Sequence, residues 1–218
     1  MKQKTIFTVT AIVLLLVFAA GALFYTGQKE KAANQLAEAN RAVLIRMHSP
    51  VMGKADAPVV IVEFLDPACE TCRQFYPMVK QLMADSPDQI RIVLRYAPFH
   101  TGSDKVVAML EAARRQGKFW IALETLLANQ AGWVQHHVAN AEVAWQLLGG
   151  IDLNMEKLAV DMNSPETASV IAQDLADAKT LSVTMTPEFF VNGKPLPNFG
   201  FTQLKELVDQ ALADSRTR

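Results

Sequence analysis

The chain has 218 residues, half of them hydrophobic, with 21 Lys and Arg against 22 Asp and Glu and a formal net charge of −1. That length suits one globular domain plus a short extra segment, and so neutral a balance leaves no electrostatic footprint for nucleic acid. Only two cysteines are present, which excludes a disulfide-stapled scaffold.

Lys2 and Lys4 precede an uncharged run from Thr5 to Gln28, whose apolar heart is residues 6–25. Twenty helical residues rise about 30 Å, the thickness of a bilayer's hydrocarbon core. Two readings fit. Residues 1–27 form an uncleaved signal anchor, or a signal peptide is cleaved near Ala22 after an apolar region from Ala11 to Phe18. Leu23, Phe24 and Tyr25 continue the apolar run past that site and favour the anchor. Both readings send the rest of the chain out of the cytoplasm, although Lys29 and Lys31 blur the positive-inside count. Residues 28–49 are polar and alanine-rich, with apolar positions at Ala33, Leu36, Val43, Leu44 and Met47. They are expected to form a solvated helical tether; Asn40 in the middle weakens the alternative of an oligomerising stripe. His48-Ser49-Pro50 and the stretch Gly53 to Pro58 then break any helix and open a domain expected over residues 50–218.

Val59 to Leu65 is a buried-strand run, Asp66-Pro67-Ala68 a turn, and residues 70–85 have helical spacing. A second strand follows at Ile90 to Tyr96. From about Ser103 to Leu181 the pattern is helical, with breaks at Gly117, Gly149-Gly150 and Ser164-Pro165. Glu188 to Val191 and Lys194 to Leu196 flank Asn192-Gly193, a strong hairpin signal. Pro195 and Pro197 donate no ladder hydrogen bond, so that last strand belongs at a sheet edge. Phe201 to Leu212 closes the chain with helical spacing. Strand, helix and strand, then a helical insertion, a hairpin and a final helix describe an α/β fold: a mixed sheet with helices on both faces.

The chemistry-bearing feature is Cys69-Glu70-Thr71-Cys72, placed where a strand and a tight turn lead into a helix. This spacing lets two thiols on a helix's first turn close into a reversible disulfide. A purely structural disulfide over so short a loop would constrain little unfolded-state entropy. Zinc would need four ligands, and His48, His100, His136 and His137 lack the spacing to complete a site. Copper handling fits soft sulfur ligands, but the nine methionines are scattered, and Met78 and Met83 fall at core positions of a helix. Trp120, Trp133 and Trp145 read as packing residues.

This pattern resembles the thioredoxin fold, and within it the exported bacterial DsbA-type disulfide oxidoreductases, over roughly Pro50 to Leu212. Cys69 to Cys72 opens the helix, and Glu63 lies six residues earlier, where the family places a buried acid. Pro77 lies where the helix often kinks, Thr186-Pro187 matches the cis-proline loop, and the helical block at about 101–181 matches the inserted domain. The resemblance implies thiol–disulfide exchange on cysteines of exported proteins, most naturally as a disulfide-forming oxidase. Isomerase or reductase work, or a non-enzymatic thiol or copper-handling module, stays as the alternative. Cys69 is then the exposed attacking sulfur, Cys72 the resolving thiol and Glu63 the group that moves the Cys72 proton. Thr186 and Pro187 offer backbone to substrate, while Glu70 and Thr71 tune the redox potential. No metal and no cofactor beyond the Cys69–Cys72 disulfide is implied. The implied recharging partner is a membrane protein, either a quinone-linked oxidase of DsbB type or an electron donor of DsbD type. The expected location is the periplasmic face of the inner membrane, anchored by residues 6–25, or the soluble periplasm after cleavage. Strongly oxidising relatives carry a histidine between the cysteines. Glu70 in its place implies a weaker oxidant, and Thr186 is also found in isomerase-like relatives.

Overall fold

The computed structural model describes residues 2–216. In chain order the elements are α1 (Lys2–Leu44), β1 (Val51–Met52), β2 (Val59–Leu65), α2 (Glu70–Asp85), β3 (Ile90–Tyr96), α3 (Ser103–Arg115), α4 (Phe119–Ala128) and α5 (Gln130–Trp133). A two-strand hairpin, β4 (Val134–Gln135) and β5 (Val138–Ala139), precedes α6 (Ala141–Leu148), α7 (Met155–Met162) and α8 (Pro165–Thr180). The chain ends with β6 (Glu188–Val191), β7 (Lys194–Pro195) and α9 (Phe201–Arg216).

The central sheet runs β1-β3-β2-β6-β7. β2 lies parallel to β3 and antiparallel to β6, and β7 occupies the edge, where its proline leaves no interior ladder bond unmade. Because side chains alternate along a strand, β2 feeds two cores. Val59 and Ile61 pack with Phe75, Val79 and Leu82 of α2 and with Leu204, Val208 and Leu212 of α9. Val62 and Phe64 pack on the other face with Val93, Phe190, Ala178 and Val183. A third core joins Leu65, Leu94 and Tyr96 at the end of the sheet to the helices α3 to α7. The architecture is a thioredoxin-like mixed sheet flanked by helices, with a helical unit inserted between β3 and β6.

Met78, read as a core position of α2, is exposed, and three further local features depart from the sequence reading. The insertion contains the β4–β5 hairpin, whose connecting residues His136 and His137 take positive φ of 49° and 63°; two histidines carry none of the usual glycine signal for such a turn. β1 pairs with β3 inside the stretch read as a helix break. The N-terminal segment and the stretch after it form one helix, α1, long and apolar enough to cross a membrane by length and composition. The far end of α1 is docked rather than solvated. Ala37 and Leu44 are buried, and Asn40 Nδ2 donates to the Gly193 carbonyl at 3.4 Å. Gly193, at φ 86° in the β6–β7 turn, permits this: a Cβ there would run into the Ala37 carbonyl.

Arg95 of β3 fastens that end of α1. It is fully buried; Nη1 donates to the carbonyls of Val43 (2.6 Å) and Leu44 (2.9 Å), while Nη2 reaches Asp174 Oδ1 (2.8 Å) and Asp177 Oδ2 (2.5 Å) on α8. Arg46 and His48 complete the cluster, on Asp177 and Asp174 respectively. Arg95→Ala removes the buried cation that joins α1, β3 and α8 and leaves its two carboxylates with fewer donors. We expect a loss on the order of 3–5 kcal/mol in chemical denaturation, against much less for Lys54→Ala, which breaks an exposed ion pair with Asp88.

Candidate functional site

The site is assembled where β2 ends. Asp66 turns the chain: the Cys69 N–H donates to its carbonyl at 3.0 Å, closing a β-turn with Pro67 at the favoured second position. Its carboxylate accepts from Ala68 N at 2.8 Å, and from His100 N (2.8 Å) and Ser103 Oγ (3.0 Å) at the start of the insertion. His100 Nδ1 lies 2.7 Å from the same carboxylate, and the His100 ring stacks on His137. With the turn held, Cys69 becomes the N-cap of α2 at φ −78°, ψ 119°, and its sulfur accepts from Cys72 N at 3.4 Å. An N-cap sulfur faces the unpaired N–H groups and the positive end of the helix dipole.

Both cysteines are free. Cys69 is 5% exposed and Cys72 is 0% exposed, so only the first can be reached from outside, and through a narrow opening rather than as the open sulfur expected from the sequence. The Cys69 sulfur lies 3.1 Å from the carbonyl of Thr186, whose peptide bond to Pro187 is cis. The predicted residues Cys69, Cys72, Thr186 and Pro187 therefore converge on one spot. Glu63 faces the same side of β2 as Leu65, beneath α2. Its strand neighbours are Leu94 and Phe189, it is buried, and its Oε1 has no hydrogen-bond partner. Glu70 is exposed on the first turn of α2, and Thr71 is half-buried beside it.

These surroundings drive the two thiols apart. A hydrogen bond from Cys72 holds Cys69 down to about 5, with help from Thr186 and from the N–H groups of Cys72 and Thr71, against an opposing push from burial. Burial, and then the neighbouring Cys69 and Glu63, push Cys72 well above the usual thiol range. Burial pushes Glu63 up to about 8, helped by the charge on Cys69. Near neutral pH the site therefore holds one thiolate, one thiol and one protonated carboxyl.

Two further residues shape the site without having stood out in the sequence. Asp66 was legible only as half of an Asp-Pro turn. Gln130, on α5, is buried and donates to the carbonyls of Pro67 (2.8 Å) and Cys69 (3.0 Å). Nothing in its sequence neighbourhood signals that contact, which joins residues about 60 positions apart.

The thioredoxin family model matches residues 45–210. A thioredoxin-like oxidoreductase from Silicibacter pomeroyi DSS-3 superposes with a TM-score of 0.69 at 32% identity, covering 79% of this chain and 98% of that one. Disulfide bond formation protein D of Bacillus subtilis is 25% identical over 171 residues, 75% of this chain and 77% of that protein. Na(+)/H(+) antiporter NhaA 3 of Salinispora tropica is 32% identical over 172 residues, 77% of this chain but 25% of that protein. The chain thus spans about a quarter of the length of the antiporter relatives it matches.

The buried acid leads to a test. Folded Glu63 ionises near 8 and its unfolded counterpart near 4.5, so between these values the unfolded chain binds fewer protons and stability falls as pH rises. Below about pH 4 both states are protonated and the penalty vanishes. Glu63→Gln removes the ionisation. We expect the variant to be more stable than the parent at pH 8 by on the order of 2–4 kcal/mol, and by little at pH 4, in parallel denaturation curves.

Proposed function

From the premise that the chain belongs to the thioredoxin family, we propose that it is a DsbA-type thiol–disulfide oxidoreductase that forms disulfides in exported proteins. The observation that carries this reading is the geometry of the pair: the Cys69 sulfur caps α2 beside Thr186 and the cis Pro187, with Cys72 fully buried one turn in, an arrangement that lowers Cys69 and raises Cys72. Only thiolates attack disulfides; burial of Cys72 leaves Cys69 the sulfur open to the first attack, and its low pKa makes Cys69 the better leaving group in the last step. A substrate thiolate attacks Cys69 in the Cys69–Cys72 disulfide. The S–S bond breaks, a mixed disulfide forms, and the electron pair leaves on Cys72. Cys72, a strong base in this buried setting, takes up a proton from protonated Glu63. The second substrate thiolate then attacks the substrate sulfur of the mixed disulfide, and Cys69 departs as a stable thiolate. The substrate has lost two electrons to the pair. The Thr186–Pro187 loop beside Cys69 offers its backbone to an extended substrate segment.

Location and partners follow the same reading. The apolar part of α1 anchors the protein at the extracytoplasmic face of the membrane, and a quinone-linked membrane oxidase of DsbB type recharges the pair. Cysteine-bearing exported proteins are the substrates, and the disulfide is the sole redox group. A second reading, isomerase or reductase fed by a DsbD-type donor, draws on Glu70 and Thr186. Glu70 places a negative charge near the thiolate, where strongly oxidising relatives carry histidine. A soft-metal thiol module would instead bind Cu(I) tightly when reduced and exchange disulfides negligibly.

The deciding measurement is the reduction potential of the pair against glutathione buffers. A thiol near 5 lies between those of DsbA (~3.5) and thioredoxin (~7), so a potential between their values of about −120 and −270 mV is expected. A value at or below the thioredoxin end removes the oxidase reading. Glu70→His should raise the potential. Folded Cys69 ionises near 5 and an unfolded thiol near 9. Glu63 contributes the opposite slope in both redox forms, so it is relative to the oxidised form that the reduced protein gains stability as pH rises through this window and loses it as pH falls to about 5. The melting temperature of the reduced form, relative to the oxidised form, should follow that course.

A further inference from the structure

Gln130 is the first residue of α5 and only 1% exposed, yet its side chain is turned away from its own helix toward the turn that carries Cys69. A primary amide has two N–H hydrogens. Nε2 donates to the carbonyls of Pro67 at 2.8 Å and Cys69 at 3.0 Å. The Cys69 carbonyl is also the acceptor for the first helical N–H of α2, from Arg73 at 3.2 Å. Gln130 thus grips the carbonyl whose direction is set by the ψ of Cys69. Any rotation there would swing the opening N–H groups of α2 away from the Cys69 sulfur.

The grip is anchored at its other end. Trp133 Nε1 donates to the Leu126 carbonyl at 2.9 Å, and the Asn140 N–H to the Trp133 carbonyl at 2.7 Å, pinning α5 to α4 and to the start of α6. Asp66 holds the same turn from within and ties it to the start of α3 through Ser103. The turn is therefore clamped by the inserted helices rather than by the sheet alone.

Resting on the thiol-exchange reading above, we propose that Gln130 is a positioning residue for the redox reaction: it holds Cys69 against the N–H groups that open α2, so that the inserted helices control the reactivity of the pair. A glutamine serving only to fill its site would affect stability and leave the ionisation of Cys69 where it was. The two roles therefore separate in one measurement.

The experiment titrates the thiolate absorbance of the reduced, full-length protein in detergent. Gln130→Met keeps length and packing without donors, and Gln130→Leu removes the donors with a different apolar shape and no new charge. Leu158→Ala is the comparison, opening a cavity at a fully buried position of the insertion. In both Gln130 variants the titration midpoint should move upward by roughly one pH unit, a tenfold change in ionisation constant. Leu158→Ala should lower the melting temperature and leave the midpoint in place. Unshifted midpoints in the Gln130 variants, or an equal shift in Leu158→Ala, overturn the proposal. If the variants do not fold, the wild-type Gln130 side-chain amide hydrogens decide it: slow exchange supports the grip, and exchange as fast as a free amide overturns it. A wild-type midpoint near that of a free cysteine overturns the exchange function and this inference together. A low wild-type midpoint with unmoved variants overturns only the inference.

Discussion

Arg95 carries a full positive charge in a place with no water to solvate it, and much of the architecture follows from its need for acceptors. Two come from Asp174 and Asp177 on α8, and two from the carbonyls that end α1. A buried guanidinium left unpaired would cost several kcal/mol, so sheet, insertion and N-terminal helix must meet at this point. The same cluster supplies a backbone partner for the sheet: Tyr96 N donates to Asp174 Oδ2 at 2.7 Å. It thereby fixes where β3 ends. The next residues of the chain lead to His100 and Ser103, which hold Asp66.

The chemistry grows out of that placement. One end of β2 lies beside β3 in register from Val59 with Ile90 to Leu65 with Tyr96. The turn that follows can then be gripped from three sides: by its own Asp66, by the start of α3 and by Gln130. Each grip is an ordinary hydrogen bond contributing about 1 kcal/mol. Their joint effect is to keep a sulfur at a helix terminus, where charge is favoured. Six residues earlier, the same strand keeps a carboxyl where charge is disfavoured. Hydrogen bonds at the helix start lower Cys69 against its burial, while burial itself raises Cys72 and Glu63.

Much of this was legible in the sequence because the signals are local. The apolar run at Val59 to Leu65, the Asp-Pro turn, the 70–85 helix and the Asn192-Gly193 hairpin each rest on contacts within a few residues, and the structure has them at those positions. The Cys69-x-x-Cys72 spacing belongs to the same class, since one helical turn relates the two thiols. Among the readings that fell short, one did so for want of a distant partner and one for want of a local turn signal. The stretch 28–49 reads as a solvated tether because its stripe is thin, yet Gly193 gives α1 room to dock and Arg95 binds its last carbonyls. The β4–β5 hairpin was missed because histidines hold its left-handed positions.

What the sequence by itself determined is the order of elements, the pair of thiols at a helix start and an acid within the preceding strand. These follow from periodicity, turn chemistry and spacing, which are properties of neighbouring residues. Only the tertiary structure decided that Thr186 lies against the Cys69 sulfur, that Glu63 Oε1 has no hydrogen-bond partner, and that Gln130 and Asp66 close around the turn. Ionisation depends on which dipoles and apolar groups surround a side chain in space. Residues that stand 117 positions apart in the chain, as Cys69 and Thr186 do, become neighbours only when the cores are packed.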